Sequence, residues 1–115
     1  AFLAARAEAA MAAGVAREKI WLDPGIGFGK HMTRHNLPLL AGLDRIVALG
    51  FPVLLGASRK RFIGALDGDA PADARLGGSI AAALAGAAAG VVAVRVHDVR
   101  ETVQALSVWT AIAQA

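Results

Sequence analysis

Apolar positions in this chain follow two rhythms that alternate along its length. Residues 1–13 are Ala-rich, with Phe2, Leu3 and Met11 as the larger apolar side chains, and Gly14 follows where a left-handed residue closes a helix. Residues 19–22 then form a short apolar run, cut by Asp23-Pro24-Gly25, which predicts a strand and a turn. From Asn36, a favourable N-cap, Leu37, Leu40 and Val47 alternate with Leu39, Leu43 and Ile46 at helical spacing up to Gly50. Residues 52–55 predict a second strand, and 59–66 a short helix halted by the polar stretch Asp67-Gly68-Asp69-Ala70-Pro71. A longer Ala-rich helix is expected from Asp73 or Arg75 to Ala89, closed by Gly90. Residues 91–96 are β-branched at almost every position, the pattern of a strand covered on both faces. Asp98 is expected to cap a last helix, with Glu101 completing an Asp variant of the capping box.

The predicted order is α-β-α-β-α-β-α. Each helix is long enough to return the chain to the start of a parallel neighbour, so the class is α/β. Such a sheet is doubly wound or is part of a (β/α)₈ barrel, which takes roughly 250 residues. A chain of 115 residues cannot close a barrel, and its two outer strands would keep bare edges. Ala1 already stands inside the first helical pattern, so the expectation is residues 1–115 as one incomplete domain with something preceding it.

Composition narrows the classes. An apolar content of 57% is ample for a core. The longest apolar stretch, 80–94, is broken by Gly86 and Gly90 and falls short of a span of ~20 strongly apolar residues. The first residues carry no secretory pattern, and the absence of cysteine excludes a disulfide framework, a thiolate nucleophile and a zinc–thiolate cluster. A cytoplasmic, soluble protein fits. Net charge is +3, and of the twelve Lys and Arg, Lys30, Arg34, Arg59, Lys60, Arg61, Arg95 and Arg100 lie at or just past the ends of predicted strands. That clustering suits an anionic small molecule better than nucleic acid, which favours a basic helix face or exposed aromatics.

Three stretches carry the chemistry. In Asp23-Pro24-Gly25-Ile26-Gly27-Phe28-Gly29-Lys30, Asp23 either closes its own Asx-turn or accepts two hydrogen bonds from the amidine-like edge of a heterocycle. The glycines admit close backbone approach, and Phe28 suits a flat wall for a planar ligand. The loop fits neither the Walker A spacing nor the dinucleotide fingerprint. In Ser58-Arg59-Lys60-Arg61, the cations form either a solvated turn or a site in which Lys60 donates to a ring and Ser58 holds an anion. In Arg95-Val96-His97-Asp98, Arg95 and His97 project from one face of the strand end, suited to a phosphate or diphosphate. His31 and His35 stand i, i+4 apart but have no acidic partner of the HExxH kind, which argues against zinc.

These stretches, with Leu22 before the first, His35-Asn36 after it, Pro52-Val53-Leu54-Leu55-Gly56-Ala57 before the second and Val99 after the third, closely resemble the C-terminal part of the bacterial dihydropteroate synthase family. Gly78-Ser79 agrees as well, while Lys30 to Asn36 is one residue longer than the family's usual spacing. The resemblance implies the last three β/α units, preceded by a helix, of a TIM barrel. That barrel condenses 6-hydroxymethyl-7,8-dihydropterin diphosphate with 4-aminobenzoate to give 7,8-dihydropteroate in folate biosynthesis. It implies that Asp23 and Lys60 bind the pterin ring, Gly56 lies against it, Phe28 lines its pocket, Arg95 and His97 bind the diphosphate, and Ser58 sits near the aminobenzoate carboxylate. Lys60, Arg95 and His97 would be the catalytic residues. It further implies magnesium, with ligands mostly outside this chain, and a homodimer through the C-terminal helices. The first half of the barrel is absent, so the fragment alone is expected to be inactive.

Two other functions compete. A pterin-binding methyltransferase domain would share the barrel and the acidic pterin contact but has no use for Ser58-Arg59-Lys60 or for a diphosphate pair such as Arg95 and His97. A non-catalytic half-barrel could instead associate through its Ala-rich helices.

Overall fold

The computed structural model describes residues 2–27 and 35–115. The expectations placed on Phe28, Lys30, His31 and Arg34 lie outside the described residues. The first helix, α1, spans Phe2–Ala12, as its run of strong helix formers dictates. Gly14 ends it at φ +103°. The Gly14 N–H donates to the Met11 carbonyl and the Val15 N–H to the Ala10 carbonyl, both at 3.0 Å, a Schellman closure that requires a residue free to turn left-handed. The same closure recurs at Gly90, where Val91 donates to Gly86 and Gly90 to Ala87.

Three chain segments lie side by side and parallel. Leu22 bridges Val53, donating to the Pro52 carbonyl and accepting from the Leu54 N–H, each at 2.8 Å. The strand β1, Leu54–Leu55, pairs with β2, Ala93–Val94, with Leu54 opposite Ala93 and Leu55 opposite Val94. Bonds from Val92 to Val53 and from Arg95 to Leu55 prolong the ladder at either end. The segments thus follow one another across the sheet in chain order.

The regular strands are shorter than the apolar runs suggested. Arg17–Lys19 form a 3₁₀ turn, leaving Leu22 as the paired part of the first run. The third run is not fully covered, since Val92 is 61% exposed, and its outer edge is unpaired among the described residues. The predicted helix after Asn36 is two helices, α2 (Asn36–Ala41) and α3 (Leu43–Val47), broken at Gly42, where a glycine lowers the cost of leaving helical geometry. The next helix, α4, covers Arg61–Leu66 rather than beginning at Arg59, since Arg59 has φ +54° and cannot enter a right-handed helix. A 3₁₀ turn at Ala72–Ala74 precedes α5, Leu76–Ala89, and α6 spans Val99–Ala113.

Two apolar clusters hold these elements. One joins Ile26, Leu43, Leu55, Ala57, Phe62, Ile63 and Ala82; the other joins Ala7, Ile20, Leu22, Phe51 and Val53. The small residues of α5 set its distance from the sheet. A Cβ on Gly86 would stand 2.7 Å from Leu55 Cδ2, and one on Gly78 would collide with Ile63. Close approach of α5 therefore depends on bare backbone at both positions, and α5 packs on α3 and α6 in turn. Among the described residues no helix is long and apolar enough to cross a membrane.

Candidate functional site

The C-terminal ends of β1 and β2 release the chain into two turns that face each other. Past β1, Gly56, Ala57 and Ser58 remain buried. Past β2, Arg95 and His97 emerge two residues apart and so share a face. Gly56, Ser58, Lys60, Arg95, Val96 and His97 surround one cavity of about 200 Å³. The Arg95 guanidinium covers Gly56 so closely that a Cβ there would be 2.7 Å from Arg95 Nη2.

Ser58 ties the two turns together. Its Oγ accepts the His97 backbone N–H at 3.1 Å and stands 2.9 Å from His97 Nδ1, which fixes both the backbone and the ring of the histidine. The Ser58 hydroxyl is therefore engaged by His97 in this structure. Arg59 makes the second tie. Its Nη2 and Nε donate to the two carboxylate oxygens of Asp98 at 2.8 and 3.2 Å, the bidentate geometry in which arginine pairs best. The hydrogen bond from Arg59 holds the Asp98 carboxyl below its usual pKa, opposed by desolvation and helped by the electrostatic influence of Arg59 and His97. Reciprocally, the bond to Asp98 raises the Arg59 pKa.

The backbone of Arg59 is equally committed. Its N–H donates to Ser79 Oγ at 2.8 Å, and its carbonyl accepts from Arg75 Nη1 at 3.0 Å. Ser79 Oγ in turn donates to the Arg75 carbonyl at 2.7 Å, and Arg75 Nε to the Ala70 carbonyl at 2.7 Å. A non-glycine residue at φ +54° is sterically unfavourable by roughly 1–2 kcal/mol, and these bonds to both sides of its backbone hold it there. The left-handed turn leaves Ser58 and Lys60 lining the cavity while Arg59 reaches across to Asp98.

The Asp23 turn is arranged differently. Asp23 is exposed, and its Oδ1 accepts the Gly25 N–H at 2.8 Å, the local Asx arrangement that the sequence left open. It lines, with Pro24, Gly25, Leu3, Leu39 and Arg45 among others, a cavity of about 570 Å³ beside α1 and α3. The structure does not bring Asp23 into the cavity shared by Lys60 and His97. The two turns meet at Gly27, where a Cβ would be 3.2 Å from Lys60 Cδ. Phe28 lies outside the described residues.

Two expected caps have other duties. Asn36 is the first residue of α2 rather than its cap; it is 1% exposed, and its Oδ1 accepts the Gly27 N–H at 3.1 Å. Asp98 precedes α6 without a side-chain cap bond, because Arg59 takes its carboxylate. Its backbone carbonyl instead accepts from the N–H and Oγ1 of Thr102. Asn36, Arg75, Ser79 and Asp98 thus shape the site without having been assigned to it from sequence. Each has one residue-level signal, a polar side chain next to a turn glycine or a helix start, but its partner lies between 5 and 39 positions away. Among the described residues no group of three His, Cys, Asp or Glu side chains could hold a metal ion.

Comparison with known proteins gives one consistent answer. The sequence profile of a family described as pterin binding enzyme matches residues 1–97. A dihydropteroate synthase of Neisseria meningitidis serogroup C is 49% identical over 112 residues, covering 96% of this chain and 39% of the relative. The dihydropteroate synthase of Thermus thermophilus, solved in complex with 6HMPPP, superposes with a TM-score of 0.87 at 54% identity, over 96% of this chain and 43% of that one. That of Xanthomonas albilineans, solved with 7,8-dihydropteroate, gives a TM-score of 0.94 at 47% identity, over 99% and 44%. The chain therefore spans about 40% of the length of the curated relatives it matches.

Proposed function

The chain belongs to the pterin binding enzyme family, and on that premise we propose that it is one part of a dihydropteroate synthase. In this reading residues 1–115 belong to a single pterin-binding (β/α)₈ domain, to which they contribute the last three β/α units and the helix before them. The parallel segments in chain order, each followed by helix, support that placement. The observation that carries the functional reading is the convergence of Lys60, Arg95 and His97 with Gly56 and Ser58 around one strand-end cavity.

In the reaction, the amine nitrogen of 4-aminobenzoate forms a bond to the pterin methylene carbon as the bond from that carbon to the diphosphate oxygen breaks. The amine loses a proton and diphosphate leaves. Negative charge grows on the departing oxygens, and cations already in place stabilise it without having to reorganise. Arg95 and His97 serve the diphosphate. Lys60 and Asp23 serve the pterin ring, Gly56 lies against it, and Ser58 reaches the aminobenzoate carboxylate while steadying His97. For Asp23 this requires the turn to present its carboxylate past the Asx bond. Among the described residues no three His, Cys, Asp or Glu side chains gather to hold an ion, and the ligands of the magnesium are placed mostly outside this chain.

Calorimetry on the full-length protein tests the ring contacts. Asp23→Ala and Lys60→Ala should each weaken pterin binding at least ten-fold, and unchanged affinity in both would sink the assignment. The 115-residue chain alone should form no dihydropteroate; turnover by the purified segment would overturn its standing as a partial site. The reading extends to a cytoplasmic protein, which the cysteine-free composition fits, and to pairing through the C-terminal helices. There α6 leaves Val99, Val103, Val108 and Ile112 exposed, and sedimentation of the full-length protein as a strict monomer would exclude that pairing.

A further inference from the structure

We propose that Arg59 and Asp98 are a positioning pair: neither touches substrate, and together they lock the turn that carries Lys60 onto the turn that carries His97. The inference rests on the synthase reading for its consequence in catalysis but on geometry alone for its structure. Consecutive residues after β1, Ser58 and Arg59, bond to consecutive residues after β2, His97 and Asp98. One tie fixes the imidazole, and the other fixes the separation of the turns.

Position 59 stands in a run of cations, yet it is spent internally. Two observations exclude a solvated basic turn. The guanidinium makes both bonds that a carboxylate can accept from one fork, and the strained backbone at φ +54° is held from both sides by Ser79 and Arg75. A side chain wanted only for its charge needs neither. The pair also neutralises itself, so it adds little net charge to the cavity and acts on the placement of Lys60 and His97. A displacement of about 1 Å in such groups can cost on the order of a hundred-fold in rate.

The test uses the full-length protein with Asp98→Asn, which keeps size and removes charge, and Arg59→Lys, which keeps charge and removes the fork. Three quantities are read: the ¹⁵N shifts of the His97 ring, the affinity for inorganic diphosphate, and kcat for dihydropteroate formation, each on protein shown folded by its melting curve. In both variants the His97 ring signals should shift, diphosphate affinity should fall about five-fold or more, and kcat should fall at least ten-fold. The double variant should be no worse than the poorer single one, because either change breaks the same tie. Unmoved His97 signals in both variants would overturn the proposal, as would a double variant that loses the product of the two single losses. Absence of synthase activity in the unmodified protein would defeat the functional reading instead, and the ring signals would still decide the positioning. Should Asp98→Asn fail to fold, Arg59→Lys carries the same three measurements.

Discussion

The turns after Leu22 and after β1 leave neighbouring parallel segments, yet they are secured by opposite means. Among the described residues, the Asp23 turn is tied to itself through the Gly25 N–H and pinned at Gly27 by Asn36. The 58–60 turn is tied to α5 by Ser79, to the residue before α5 by Arg75, and to the turn after β2 by Ser58 and Arg59. A locally closed turn can shift as a unit at small cost. A turn bonded to two other elements cannot move without breaking several interactions at once. In the synthase reading, the more rigid turn carries Lys60 to the pterin ring and is clamped to the turn whose Arg95 and His97 meet developing charge, where preorganisation matters most.

Substitutions can be chosen to break this contrast, beginning with the strongest. Gly64→Ala would set a Cβ 2.7 Å from the Ala70 carbonyl oxygen and 2.9 Å from Arg75 Nη2. Alanine favours a helix by about 1 kcal/mol, but forcing a packed backbone apart costs about 1–3 kcal/mol and displaces Arg75. We expect a lower melting temperature together with loss of diphosphate affinity; a more stable protein would show that the Arg75 bracket is slack. Next, Ser79→Ala leaves the Arg59 N–H without its acceptor inside the protein, a loss of about 2 kcal/mol. Chemical denaturation should detect it, and an unchanged midpoint would mean that water replaces the hydroxyl.

On the other turn the effect should be smaller. Asn36→Ala removes the acceptor of the Gly27 N–H, but Gly27 is exposed and water can take over, so about 1 kcal/mol is expected. Hydrogen exchange at Gly27 should accelerate while Arg59 stays protected. Acceleration at both would dissolve the distinction between the two turns.

The mildest probe is acid. Asp98, facing Arg59 and His97, has its folded pKa lowered. Its contribution to stability is present above the unfolded carboxylate value of about 3.9 and is lost as pH falls through the lower folded value. Arg59 also faces Asp73 and Glu101 and stays charged throughout. The gap in melting temperature between the unmodified protein and Asp98→Asn should be constant above about pH 5 and close below about pH 4. A gap that persists in strong acid would show that the carboxylate charge is not its source.

The strand ends were legible in the sequence because apolar runs stopped at polar residues, and that boundary is set by burial. Gly14 and Gly90 were legible because few residues other than glycine close a helix left-handed. The limits came where a side chain has a choice of partners. Asp98 before a helix reads as a cap, and Asn36 reads likewise, because capping needs only local spacing. Their actual partners, Arg59 and Gly27, are brought near by the fold. Asp23 shows the reverse: its local Asx bond was one of two readings and is what the structure contains. Gly42 was passed over inside a helical pattern, since periodicity continues across a break that the backbone does not.

The backward twist at Arg59 has a practical corollary for anyone transplanting this site. Copying Ser58-Arg59-Lys60 into another barrel would carry the letters without the shape. The recipient would need a hydroxyl on the second helix after the turn and a guanidinium just before that helix to clasp both sides of that peptide, and a carboxylate at the next strand's end to receive the arginine. The transferable unit is a set of six side chains drawn from three stretches of chain.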